Sequence, residues 1–188
     1  MKPIQRIFQT ILVLVFFSGA AVLSPVLAQN PVGIGGEAPV LDLLNQNEEQ
    51  VTLDKLSGEK GAVIAFIRSL DWCPYCKLQV VELNTNAEQI EALGYNIAAV
   101  SYDAPDALMA FADKFDVGIN LLSDPESDTI KAFGILNEDF DADHFAYGVP
   151  HPHIFVVSKE GVVLEVLAEE GYKDRPSIET ILKSLLSH

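Results

Sequence analysis

The sequence predicts an α/β domain built on a mixed central sheet flanked by helices. Three observations lead there. Ala62 to Ile67 is an unbroken apolar run, short apolar runs then alternate with segments of helical periodicity, and two apolar runs near the C-terminus are joined by only a few residues. A continuous apolar run of that length suits a strand covered on both faces. Strand–helix alternation implies parallel pairing through crossovers, and a short link implies an antiparallel hairpin.

The elements follow in order. Asn30 to Gly36 is Gly-rich and reads as a linker over 29–36, leaving one domain over 37–188. After the Ala62–Ile67 strand, apolar groups recur at Cys76, Val80, Leu83, Ala87 and Ile90. Those steps of four and three put one helix face on a core, and Gly94 ends that helix. Ile97–Val100 reads as a strand. Pro105–Phe115 reads as a helix with Leu108, Phe111, Ala112 and Phe115 on one face. Ile119–Leu122 is a short strand, Asp124-Pro125 opens a short helix through Phe133 closed by Gly134, and 135–150 is an acidic loop. Ile154–Val157 and Val162–Leu167 form the hairpin around Lys159-Glu160-Gly161, and Ile178, Ile181, Leu182 and Leu185 mark a final helix.

The N-terminus has the pattern of a secretory signal. Lys2 and Arg6 precede an apolar stretch from Ile7 to Leu23, and Val26-Leu27-Ala28 offers a small-residue cut site before Gln29. Pro25 weighs against an uncleaved anchor, so a periplasmic or secreted protein without stable membrane association is expected. Losing Lys2 and Arg6 takes the formal net charge from −15 to −17, which argues against nucleic acid as a partner.

Cys73 and Cys76 are the only cysteines. A pair this close encloses almost no loop, so it adds little as a staple, and its use is chemical. Asp71-Trp72-Cys73-Pro74-Tyr75-Cys76 sits where the buried strand turns into a helix. Free N–H groups and the positive dipole end of a helix stabilise a thiolate, which points to Cys73 as the attacking sulfur. Pro74 fixes the first turn, Tyr75 sets access, Trp72 walls the site, and Cys76 resolves the mixed disulfide. No bound cofactor is needed for this redox-active disulfide chemistry. The partners implied are substrate thiols, disulfides or hydroperoxides, and an external thiol donor.

Trp72-Cys73-Pro74-Tyr75-Cys76 resembles the WCxxC site of thioredoxin-like proteins, with a glutaredoxin-type Pro-Tyr dipeptide. The wider chain, about residues 36 to 186, resembles the peroxiredoxin-related family, the alkyl hydroperoxide reductase C / thiol-specific antioxidant group. Gly36-Glu37-Ala38-Pro39 with Val51-Thr52-Leu53 resembles its N-terminal hairpin. Val100-Ser101-Tyr102-Asp103, Ala110-Phe111 and Leu121-Leu122-Ser123-Asp124-Pro125 resemble its middle section, and Pro152-His153-Ile154-Phe155-Val156-Val157 the strand after the thioredoxin-fold cis-proline. The resemblance implies a thioredoxin-like fold and an antioxidant, thiol-based oxidoreductase.

In the family's P-x-x-x-T-x-x-C pattern, Cys76 takes the peroxidatic place, Cys73 the Thr place and Ser69 the Pro place, while Pro152 stands where a later strand carries Arg. Those departures favour an exported thiol–disulfide oxidoreductase, with thiol peroxidase through Cys76 or Cys73 as the alternative. Arg68 either replaces the lost cation or is a loop charge. The resemblance places a cis bond between His151 and Pro152, with His151 facing Cys73. A third reading makes Cys73, Cys76, His151 and His153 a copper or zinc site. Asp139, Asp141 and Asp143 alternate as in a calcium loop, but the Gly and final Glu of that motif are missing, so a solvated loop is expected.

Overall fold

The apolar run at 62–67 lies at the centre of a seven-stranded sheet in a computed structural model that describes residues 31–171 and 173–188. The signal segment 1–28 and its cut site lie outside the described residues. The strands are β1 (Asp42–Asn45), β2 (Gln50–Thr52), β3 (Gly61–Phe66), β4 (Tyr95–Ser101), β5 (Asn120–Ser123), β6 (His153–Ser158) and β7 (Val163–Leu167). The helices are α1 (Leu53–Leu56), α2 (Pro74–Thr85), α3 (Ala87–Glu91), α4 (Pro105–Phe115), α5 (Asp128–Ala132) and α6 (Ile178–Leu185).

Across the sheet the order is β2-β1-β5-β4-β3-β6-β7. β3 pairs parallel with β4 and β4 with β5, whereas β6, β7, β1 and β2 join antiparallel. This is the mixed sheet the pattern predicts, with the N-terminal hairpin added at the β5 edge. Alternate residues of β3 serve two cores. Val63 and Ala65, with Ile67 just beyond, face the core closed by α2, α3, α4 and α6. Ala62, Ile64 and Phe66 face a second core with Leu56, Ile130 and Phe133. Phe66, Phe133 and Phe155 interlock there at centroid distances of 4.7 to 5.7 Å. β3 starts at Gly61, with φ +154, because a Cβ there would run into the Val157 carbonyl of β6.

The predicted helix from Cys76 to Ile90 is broken at Asn86. Asn86 donates its side-chain amide to the Glu82 carbonyl at 2.8 Å, and Asn84 turns its amide to Gly118 N, Ile119 N and the Asp116 carbonyl. Such side-chain bonds compete with helix continuation. The short helix expected from Asp124 starts later, at Asp128, because the buried Asp124 carboxylate accepts the N–H groups of Thr129 and Ile130. Within the segment read as a linker, Val32 donates to the Phe133 carbonyl, Gly35 to that of Val163, and Val163 in turn to Gly36 O. These bonds lay 32–36 against the sheet. Among the described residues no helix is long and apolar enough to cross a membrane.

Candidate active site

β3 and β4 run side by side and end together, so the loop after β3 passes the Ser101-Tyr102-Asp103 segment at the end of β4. There the nearly buried Asp103 carboxylate takes three donors: Ser69 Oγ at 2.8 Å, Leu70 N at 2.6 Å and Ser101 Oγ at 2.8 Å. Ser69 Oγ in turn accepts Asp71 N at 3.0 Å and Trp72 N at 3.3 Å. The chain is thereby turned from strand to helix by one carboxylate and one hydroxyl. Ser69, in the family's Pro place, acts through hydrogen bonds. Neither Ser69 nor Asp103 is among the predicted site residues, although the Ser-x-Asp at the strand end was visible.

Cys73 caps α2 and Pro74 occupies its first turn, as expected. Both cysteines are free and buried, at 1% and 0% exposure, with their sulfurs 2.6 Å apart. No disulfide joins them. The two thiols are shifted in opposite directions. Cys76 is lowered to about 6, first by a hydrogen bond from the Cys73 thiol, then by the backbone N–H groups of Ser69 and Arg68 and by Arg175, against the opposing effect of burial. Cys73 is pushed up, first by holding the proton it shares with Cys76 and then by burial. The two thiols titrate as one coupled pair, Cys76 pushed down and Cys73 up.

Arg175 was missed by the sequence reading. It lies in the segment between β7 and α6, and its Nη2 stands 3.6 Å from Cys76 Sγ. Its Nε donates to Gln79 Oε1 at 2.8 Å and its Nη1 to the Asp174 carbonyl at 2.7 Å. One signal was available: beyond the signal segment, Arg68 and Arg175 are the only arginines in an acidic chain.

Arg68 is buried rather than a loop charge. Its guanidinium lies 4.9 Å from the Trp72 ring centre and 5.5 Å from that of Phe140, and its charge favours the Cys73 thiolate. Trp72 donates Nε1 to Tyr102 OH at 2.9 Å and meets Phe145 edge to face at 5.1 Å. The acidic loop thus supplies Phe140, His144 and Phe145 as an aromatic wall beside the motif. Tyr75, between the cysteines, is 37% exposed.

Two expectations fail. All described peptide bonds are trans, so the His151–Pro152 bond is trans; His151 N is bonded to the Ile135 carbonyl at 2.7 Å and Pro152 simply leads into β6. His151 is exposed, and half-buried His153 binds the His151 carbonyl through Nδ1 at 2.9 Å. Burial lowers the pKa of His153. Among the described residues no three His, Cys, Asp or Glu side chains converge as a metal site, so neither the Cys73–Cys76–His151–His153 set nor the acidic loop forms one.

The AhpC/TSA family model matches residues 34–166. A Haemophilus influenzae protein with the provisional name peroxiredoxin bcp is 30% identical over 145 residues, which is 77% of this chain and 92% of that one. Peroxiredoxin Bcp of Escherichia coli is 26% identical over 159 residues, covering 85% and 99%. The fold is that of peroxidoxin BcpB from Mycobacterium tuberculosis (TM-score 0.71, 19% identity, 82% of this chain and 96% of that one) and of a peroxiredoxin-like protein from Aquifex aeolicus (0.72, 20%, 85% and 90%).

Asp103→Ala leaves three donors without their acceptor and should lower stability by about 2–4 kcal/mol in urea unfolding. The thiolate absorbance of the reduced protein near 240 nm should titrate with a midpoint near 6, and Cys73→Ala should move that midpoint up by removing the leading cause of the depression. The linked stability follows in sign. Between about 6 and 9 the unfolded chain holds one more proton than the folded pair, so stability rises with pH. Above 9 the folded Cys73 keeps a proton that the unfolded chain has lost, so stability falls again. Denaturant midpoints measured across pH 5 to 10, compared with Cys73→Ala/Cys76→Ala, check this.

Proposed function

This chain belongs to the AhpC/TSA family, and on that premise we propose that it is a thiol peroxidase in which Cys76 is oxidised and Cys73 resolves it. It is a thiol-dependent oxidoreductase. The observation that carries the finer reading is the Arg175 guanidinium, whose Nη2 stands 3.6 Å from Cys76 Sγ where it favours an anionic sulfur. The relatives' names as peroxiredoxins support the same choice over dithiol exchange.

The Cys76 thiolate attacks the terminal oxygen of a hydroperoxide. An S–O bond forms, the O–O bond breaks, and the departing alkoxide takes a proton from solvent. The Cys73 thiol, already 2.6 Å away, then displaces water from the Cys76 sulfenic acid and closes the disulfide. An external dithiol returns two electrons and two protons by exchange. Cys73, in the Thr place, thus holds the thiolate by its S–H bond and later becomes the resolving group.

Thiol–disulfide exchange through the same pair is the second reading, favoured by the three-residue spacing. Burial counts against it, since a small hydroperoxide reaches a covered sulfur with less displacement than a protein disulfide does. The apolar stretch after Lys2 supports export, which would make the electron donor an exported dithiol.

Rapid mixing of reduced wild type, Cys73→Ser and Cys76→Ser with hydrogen peroxide and with a model disulfide, followed by alkylation of remaining thiols, separates the readings. A fast peroxide reaction that persists in Cys73→Ser, stalls there as a sulfenic acid, and vanishes in Cys76→Ser is expected. Fast disulfide and slow peroxide reaction, both lost in Cys73→Ser, would instead mean exchange. Export predicts that the protein recovered outside the cytoplasm begins at Gln29; intact mass decides, and a full-length cytoplasmic product would refute it.

A further inference from the structure

Helix α2 turns two side chains one turn apart, Cys76 and Gln79, toward a guanidinium that arrives from a different part of the chain. Gln79 is almost fully buried, and its oxygen fixes Nε while the Asp174 carbonyl fixes Nη1. Two of the fork's edges are therefore held by neutral oxygens, and Nη2 is directed at the sulfur. Arg175 also lies beyond the span that the family model matches, 34–166.

We propose that Arg175 is a catalytic residue: its Nη2 pairs with the Cys76 thiolate and stays with the negative charge as that charge passes to the departing peroxide oxygen. Guanidinium suits this part. It remains protonated at every working pH, and its planar fork keeps one donor aimed while the others are engaged. As the sulfur lone pair forms the S–O bond, the O–O pair leaves on oxygen, and a donor already facing the sulfur meets that charge without reorganising. Gln79 is a positioning residue that acts through Arg175. The other cation beside the dithiol, Arg68, comes from the β3–α2 loop, lies against the rings of Trp72 and Phe140, and acts on Cys73. Cys76 thus has the Arg175 Nη2 within hydrogen-bonding range of its sulfur.

The peroxide step rests on the thiol peroxidase reading, so the test uses two independent readouts. One is the Cys76 thiolate midpoint from absorbance and from the pH dependence of iodoacetamide alkylation. The other is the second-order rate with hydrogen peroxide at pH 9. Arg175→Gln should raise the midpoint by about one unit and slow the peroxide reaction at least about tenfold. Arg175→Lys should do less of both. Gln79→Met, which keeps the charge and removes its anchor, should move the midpoint in the same direction by a smaller amount, and it covers the case in which Arg175→Gln does not fold. Midpoints at the wild-type value in all folded variants would overturn the proposal, as would a peroxide rate unchanged in Arg175→Gln. A wild type unreactive to peroxide, with the midpoint shifted in Arg175→Gln, would remove the peroxidase reading and the peroxide step while leaving the pairing with Cys76.

Discussion

The site depends on one buried carboxylate. Asp103 ends the strand beside β3 and takes hydrogen bonds from the loop that β3 feeds, so two parallel strands and the start of α2 are tied at a single point. The consequence for chemistry is direct. The start of α2, which carries the dithiol, follows that loop, and the loop turns where Ser69 and Leu70 find the Asp103 carboxylate as acceptor. An ion buried here is tolerable since each oxygen is met by donors from fixed backbone or short hydroxyls, which lose little freedom in binding it. The sheet thus supplies position, and the carboxylate converts position into orientation.

The second organising feature is asymmetry within a symmetric-looking pair. Two thiols three residues apart on a helix start would share the dipole's benefit nearly equally. What separates them is geometry outside the helix: the Arg175 guanidinium stands beside Cys76, while Cys73 sits at the cap. A thiol at Cys73, the Thr place of the resembled family pattern, can still donate to a neighbouring thiolate. It can also form a covalent bond to it, which no hydroxyl can do.

The fold was legible wherever periodicity is local. α4 spans the predicted residues, and the hairpin and final helix stand where alternation and spacing put them, because a strand or helix face has to match its own repeat whatever it packs against. What escaped depends on contacts distant in sequence. The break at Asn86 comes with bonds from Asn84 to a segment more than 30 residues away. Arg175 is 99 residues from the sulfur it faces and lies in a stretch with no pattern at all. The helix end visible in sequence points to Cys73, whereas the guanidinium beside Cys76 comes from a segment whose path only the tertiary structure sets. The cis bond was inferred by resemblance, and the local hydrogen bonding of His151 is satisfied with a trans one.

Trp72 is the only tryptophan in the chain and sits one residue from Cys73. Its N–H is engaged by Tyr102, its ring by the Arg68 guanidinium, and its edge by Phe145, so the environment of the indole is the environment of the dithiol. No second indole elsewhere dilutes its emission. Light absorbed by this chromophore reports on the surroundings of the sulfurs, which makes the native molecule its own optical probe, with no dye, label or engineered reporter between the observer and the sulfur chemistry.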